Sequence, residues 1–436
     1  MEQSLNEPSR TLFADALVWP GMRQAVGEAP FAADVLVEGN QIAAIARAPA
    51  SLPREAAAVV ECAGATLMPG LVDGHSHLSF VELVSFADIG DIPAEEHAYL
   101  TMHNARTVLA AGFTSCLSAG AAKPRLDVAL RNEIEAGRIP GPRLLAASPE
   151  LTTTGGLGDE RRLHLYRESV AMIVDGADEV RRTVRTLCRE GVDTIKLNVS
   201  GNHTLPAGKA HLTLMTEPEL AAAVEAAHSF DKRVAAHCRS AASVKLALRH
   251  GVEIVYHCDF ADDETIDLLE AARDHVFLAP ALGMMHDTIH RSEEFGIGYE
   301  RAKARGLIEE FESVCRVYTE LRKRGLCVLI GGDYGFPWSP HGANARDLEH
   351  FVRFLGYRPE EALHAATRLG AQAMLLGERL GFVREGFLAD LLLVRGRPFE
   401  DVTLLQWPEN ILAVMKDGRL HKLPPPPHAV RWPLAA

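Results

Sequence analysis

Nowhere in this chain do about 18 uncharged apolar residues run together, the length a membrane-crossing helix needs, so no membrane partner is expected. It also lacks any CxxC pair. The seven cysteines (Cys62, Cys116, Cys188, Cys238, Cys258, Cys315, Cys327) are scattered and odd in number, which argues against a disulfide framework or a cysteine-rich zinc site. They read as reduced, buried thiols. Positive charge is in deficit: the formal net charge is −13, and no basic stripe interleaved with aromatics offsets it, so nucleic acid is excluded as a partner. No GxGxxG follows an early strand, which disfavours a dinucleotide-binding fold. The opening residues MEQSLNEPSR hold no basic segment leading into an apolar one, and a cytoplasmic location is the expectation.

What is present is an ordinary globular composition, 47% apolar and 24% charged, in 436 residues. That length accommodates an α/β barrel of about 250 residues or more with an accessory domain. Short β-like runs occupy the first part of the chain: LFADALVWP, DVLVEGNQIAAIA with a turn at Gly39-Asn40, and AAAVVECAGATL. The same texture returns beyond residue 380 in FLADLLLVRG and in ILAVMKDGRLHKL, which bends at Asp417-Gly418. Residues 1–67 and 379–436 are thus the β-rich ends of the chain. Residues 68–378 carry the βα rhythm of a parallel sheet. Their strands read as LMPGLVDGHSH, TSCLSA, PRLLAA, TIKLNVS, RVAAHC, EIVYHC, VFLAP and VLIGGD, with amphipathic stretches such as ADEVRRTVRTLCREG and EPELAAAVEAAHSF between them. The fold class is α/β, and eight strands with covering helices predict a (β/α)8 TIM barrel.

Polar residues stand where these apolar runs end. His75 and His77 are two residues apart, so strand alternation sends both imidazoles to one face at one strand end. Alone, an HxH pair is equally a pair of hydrogen-bonded histidines. Lys196, His237, His257 and Asp333 occupy the corresponding ends of four further runs. Such groups are costly in an apolar interior unless paired or bound to metal. Lys196 is the most informative of them. An ammonium cannot ligate a cation, whereas an amine that has reacted with carbon dioxide is an anionic carbamate whose two oxygens can bridge two metals. The other reading is a lysine that extends its head to water. Cys238 and Cys258 follow their histidines directly, so alternation turns them toward the helices as core residues.

On these residues the chain resembles the amidohydrolase superfamily over nearly its whole length. The motifs that carry the resemblance are PGLVDGHSH, TIKL, the histidines of AAHC and VYHC, the aspartate of GGDYG, and the tail ALHAATRLGAQAMLLGERLGFVREGFLADLLLV. The nearest branch holds Xaa-Pro dipeptidases, ochratoxinase and imidazolonepropionase-related amidohydrolases. That resemblance implies two divalent metal ions, with zinc the expected element. It places His75, His77 and Asp333 on one ion, His237 and His257 on the other, and N6-carboxylated Lys196 as the bridge. It also implies a hydroxide nucleophile between the metals, Asp333 as the catalytic proton carrier, association into a homo-oligomer, and a small β-sandwich domain built from residues 1–67 and 379–436. Three departures stand out. Leu157 follows the glycine pair of LTTTGGLGD where the branch has histidine, SGNHTLPAGKAH lacks a glycine pair, and YHC replaces EHG.

The expected activity is hydrolysis of an amide or peptide-like C–N bond in a small molecule, either an N-acyl amino acid, a dipeptide or an aromatic amide. The alternative is a deaminase or a cyclic-imide, lactone, carbamate or urea hydrolase. The deaminase reading loses ground because HCRS follows the fifth strand with no glutamate, and because Lys196 is present. Substrate contacts are expected from strand-end loops: Thr154, Leu157, His203, His286, His290, Arg291, Trp338 and His341. Arg291, His203 and Lys209 are the candidate anchors for a carboxylate.

Overall fold

The structure, a computed structural model, describes residues 10–22, 28–55, 57–203 and 210–423. The chain divides into two compact units. One comprises Met1–Val72, Leu109–Ser115 and Arg358–Ala436, and the other Asp73–Val108 and Cys116–Tyr357.

The first unit is built on one hydrogen-bonded sheet of eight strands. Its path runs Arg419–Lys422, Ile411–Lys416, Leu391–Val394, Thr66–Pro69, Arg10–Val18, Phe31–Glu38 and Gln41–Arg47, with Ala58–Glu61 pairing to one side of Arg10–Val18. The two chain ends are joined where Leu391–Val394 lies antiparallel to Thr66–Pro69. A bulge between Phe13 and Ala16, with Asp15 at φ 54°, lets Arg10–Val18 pair first with Ala58–Glu61 and then with Thr66–Pro69. That strand thus pairs on both its sides, and Val35, Val37, Ile42, Leu67, Leu391 and Met415 belong to one buried cluster.

The second unit is α/β. Its strands are β1 (Leu71–Ser76, which starts in the first unit), β2 (Phe113–Ser118), β3 (Arg143–Leu145), β4 (Ala147–Thr152), β5 (Met172–Ile173), β6 (Thr194–Asn198), β7 (Arg233–Ser240), β8 (Ile254–Phe260) and β9 (Phe277–Ala279). They form a sheet ordered β5-β4-β6-β7-β8-β9, parallel throughout, and a second sheet ordered β1-β2-β3. Helices intervene for the reason the periodicity suggested. In Ala177–Arg189 the buried residues are Val180, Val184, Leu187 and Cys188, one stripe of a 3.6-residue repeat, while its arginines face water.

Two predicted strands differ in detail. LMPGLVDGHSH is two strands, because Gly70 passes so close to Thr114 that a Cβ there would lie 2.2 Å from its Oγ1. The chain breaks step at that glycine, with Thr66–Pro69 and Leu71–Ser76 on either side. VLIGGD contains only a bridge at Val328, paired with Leu278. Beyond it Gly331 is forced: a Cβ would fall 2.5 Å from the His75 backbone nitrogen. Close backbone approach at a glycine ends the ladder and delivers Asp333 in a left-handed conformation, φ 61°.

Candidate metal centre

The second unit gathers the polar strand ends at one cavity of about 1040 Å³, whose lining includes His75, His77, Lys196, His237, His257 and Asp333. His75 is the last but one residue of β1 and His77 lies just beyond the strand's end, and their ring centroids are 5.3 Å apart. Asp333 Oδ1 lies 3.3 Å from His77 Nε2 and 3.8 Å from His75 Nε2. The donor atoms of these three residues fall within 4.8 Å of one another, the one such group among the described residues. On the adjacent strands His237 and His257 have ring centroids 4.3 Å apart, and His257 is 5.3 Å from His75. Lys196, from β6, has its Nζ 3.6 Å from Glu150 Oε1 and 4.8 Å from the Tyr256 ring centroid.

Burial dominates the electrostatics. It holds His75, His237 and His257 well below the usual imidazole range, with neighbouring cationic groups adding to the effect, and it lowers His77 to about 4. All four imidazoles are thus neutral and carry lone pairs. Burial raises Asp333 to about 6 and lowers Lys196. The donor set fits a transition-metal cation. His75 Nδ1 and both nitrogens of His257 are buried with no hydrogen-bond partner in the protein, which is costly unless a ligand satisfies them. His77 Nδ1 meets Gly120 O at 3.0 Å and His237 Nε2 meets Gly201 O at 3.1 Å. A ring nitrogen held on a carbonyl is how a ligating histidine is ordinarily oriented. Cys238 and Cys258 are buried, with burial raising both thiols and Cys238 reaching about 12, so neither offers a thiolate.

The family model described as "Amidohydrolase family" matches residues 66–421. The chain belongs to that family. An ochratoxinase of Aspergillus niger is 27% identical over 97% of this chain and 88% of its own length. Among solved structures, a prolidase complexed with N-methylphosphonate-L-proline is 25% identical with a TM-score of 0.84, covering 95% of this chain and 100% of the other. A Xaa-Pro dipeptidase with bound methionine in the active site is 26% identical with a TM-score of 0.81 and the same coverage. This amidohydrolase is an enzyme, a hydrolase acting on carbon–nitrogen bonds. No described helix is long and apolar enough to cross a membrane.

The substrate-contact candidates separate into two groups. Thr154, Leu157, His203 and Trp338 line the cavity. Thr154 is tied to Asp175 (Oγ1 to Oδ2, 2.6 Å), and Trp338 Nε1 donates to Thr288 Oγ1 at 2.9 Å. His286, His290, Arg291 and His341 are not among the lining residues. His286 packs its ring against His290 and His350, Arg291 pairs with Asp287 at 3.0 Å, and His341 Nε2 lies 2.8 Å from Phe80 O. For His286 and His290 the reason is helical phase. On Leu282–His290 the lining residues are Met284 and Thr288, and positions two residues further on point about 200° away. Lys209 lies outside the described residues.

Sequence reasoning missed three buried polar groups around the centre. Glu150, on β4, has Oε2 held by Asn198 Nδ2 at 2.8 Å. Arg239 reaches Glu310 at 3.0 Å and also pairs with Asp259, both carboxylates being fully buried, and Glu310 in turn touches His203. Tyr256 stacks on His75 at 3.9 Å. The available signal was the one that exposed Lys196, a polar residue within an apolar run. It was legible for Glu150 in AASPELT and for Arg239 in AAHCRS. An aromatic wall, Phe80, Phe86, Phe336 and Trp338, completes the cavity, with Phe336 and Trp338 stacked 5.2 Å apart at an interplanar angle of 10°.

Proposed function

We propose that this amidohydrolase cleaves an amide or peptide-like bond in a small N-acyl amino acid, dipeptide or aromatic amide at a binuclear metal centre. The supporting observation is the gathering of His75, His77, Asp333, Lys196, His237 and His257 at one cavity floor. In this reading His75, His77 and Asp333 hold one ion, His237 and His257 a second, and Lys196, carboxylated at Nζ, links them. Imidazole and carboxylate donors suit zinc. The framework is a (β/α)8 barrel. Support for it comes from the bridges Ala121–Pro149 and Leu278–Val328 and the Gly74 N–H to Ile330 O bond of 2.7 Å, which extend the two sheets toward each other.

When bound, divalent cations lower the pKa of a water to about 7 and polarise a carbonyl. The chain's own residues do the rest. Asp333 Oδ1 faces both His75 and His77, where it accepts the proton of the attacking water and returns it to the leaving nitrogen as the C–N bond breaks. Neutral His77 and His237 are held in one orientation by the carbonyls of Gly120 and Gly201. The wall of Phe80, Phe86, Phe336 and Trp338 excludes water and receives a flat or apolar acyl group. The dipeptidase and prolidase relatives support an amino acid on the other side of the bond.

Metal analysis of the purified protein, followed by a hydrolysis screen of N-acyl amino acids, dipeptides and aryl amides, tests this reading. Two equivalents of metal and turnover of at least one class are expected. Protein free of stoichiometric metal, or fully loaded protein inert to every C–N substrate, would overturn it.

A further inference from the structure

His75 lacks the brace that two of its partners have. His77 and His237 each have a ring nitrogen on a backbone carbonyl, the usual brace for a metal ligand, whereas His75 Nδ1 is buried with no such bond. Its ring instead lies face to face with Tyr256, centroids 3.9 Å apart and planes 28° from parallel. The same phenol ring carries the Lys196 Nζ over its face at 4.8 Å. Its hydroxyl donates to Gly74 O at 3.2 Å, the carbonyl immediately before His75, and the Gly74 N–H donates to Ile330 O. Tyr256 therefore touches the His75 ring, the backbone that bears it, and the lysine head, all while fully buried.

The backbone makes this arrangement accessible. Strict alternation along β8 would send Tyr256 and His257 to opposite faces. His257 and Cys258 instead adopt left-handed conformations, φ 80° and 56°, and the rings of Tyr256 and His257 both stay near His75, at 3.9 and 5.3 Å. Backbone strain of this kind persists only where the surroundings over-determine it, and it concentrates at functional sites.

We infer that Tyr256 is a positioning residue, which fixes the His75 imidazole and the Lys196 head together so that they meet the metals as one prearranged pair. The inference rests on the metal-centre reading above. It assigns a role to the tyrosine of VYHC, one of the places where this chain departs from the family pattern.

Three variants test it, each measured for metal affinity by titration of the metal-free protein and for the ¹³C carbamate resonance in labelled bicarbonate. Tyr256→Phe keeps the ring and should bind metal within a few-fold of wild type. Tyr256→Met fills the volume without a stacking face and should weaken metal binding about 10- to 100-fold, the usual cost of losing an orienting group. It should also diminish the carbamate signal. Val255→Ala, at the buried neighbouring position, should lower stability while leaving metal affinity unchanged. Should Tyr256→Met not fold, Tyr256→Leu answers the same question. Wild-type affinity in a folded Met or Leu variant, equal losses in Phe and Met, or a comparable loss in Val255→Ala would each overturn the inference. Wild-type protein that takes up no metal would instead defeat the underlying reading, and the inference with it.

Discussion

Replacing Asp333 by asparagine should move stability and activity in opposite directions. In the metal-free protein, burial raises the Asp333 carboxyl from 3.8 to about 6, so the folded state favours the protonated form. The stability contributed by that form is complete below pH 3.8, declines between 3.8 and about 6, and is gone above. A rise of about two units corresponds to about 3 kcal/mol lost at neutral pH. Asparagine cannot ionise, has nearly the same volume, and tolerates the left-handed backbone that Asp333 adopts at φ 61°. Metal-free Asp333→Asn should therefore be more stable than wild type at pH 7, by up to about 3 kcal/mol, with the gap closing as the pH falls toward 4. Urea unfolding of chelator-treated proteins, followed by tryptophan fluorescence across that range, measures the difference. With metal restored, kcat should instead drop about 10²- to 10⁴-fold, a barrier increase of about 3 to 5 kcal/mol, because the proton carrier is lost. A metal-replete variant within tenfold of wild-type kcat, or a metal-free variant no more stable at pH 7, would refute this account of Asp333.

The other expectations concern its neighbours. Lys196→Met, similar in volume but unable to form a carbamate, should lose the ¹³C resonance in labelled bicarbonate and bind fewer metal equivalents by elemental analysis. Phe336→Ala removes one face of the stacked pair with Trp338 and should raise KM for aromatic amides about tenfold, the equivalent of about 1.4 kcal/mol, while sparing a small aliphatic substrate. Arg239→Met leaves Asp259 and Glu310 buried without their guanidinium and should cost about 3 to 5 kcal/mol in chemical denaturation. Replacing all three charges with apolar residues should recover most of that loss.

The gathering of the candidate metal-site side chains was legible in the sequence in part from strand period, which turns His75 and His77 to one face. His75 and His77 two apart, and single polar residues closing apolar runs at Lys196, His237 and His257, have few physical explanations other than a shared site. Asp333 was legible as a carboxylate just after the apolar run VLIGG, and the structure adds that Gly331 lets the backbone pass close to His75. The α/β class followed from the same periodicities, whereas the joining of the two chain ends was implied by the resemblance of the tail segment.

Tertiary structure alone decided which charges meet. Glu150 faces Lys196 across two neighbouring strands, and Arg239 finds Glu310 71 positions away in the chain, pairings that no local pattern encodes. It also decided which face of Leu282–His290 looks into the cavity, admitting Met284 and Thr288 and turning His286 and His290 aside. A strand end offers two directions, fixed by parity, whereas a helix or loop can be rotated through the full circle. What fixes that rotation is the packing of buried neighbours distant in the chain.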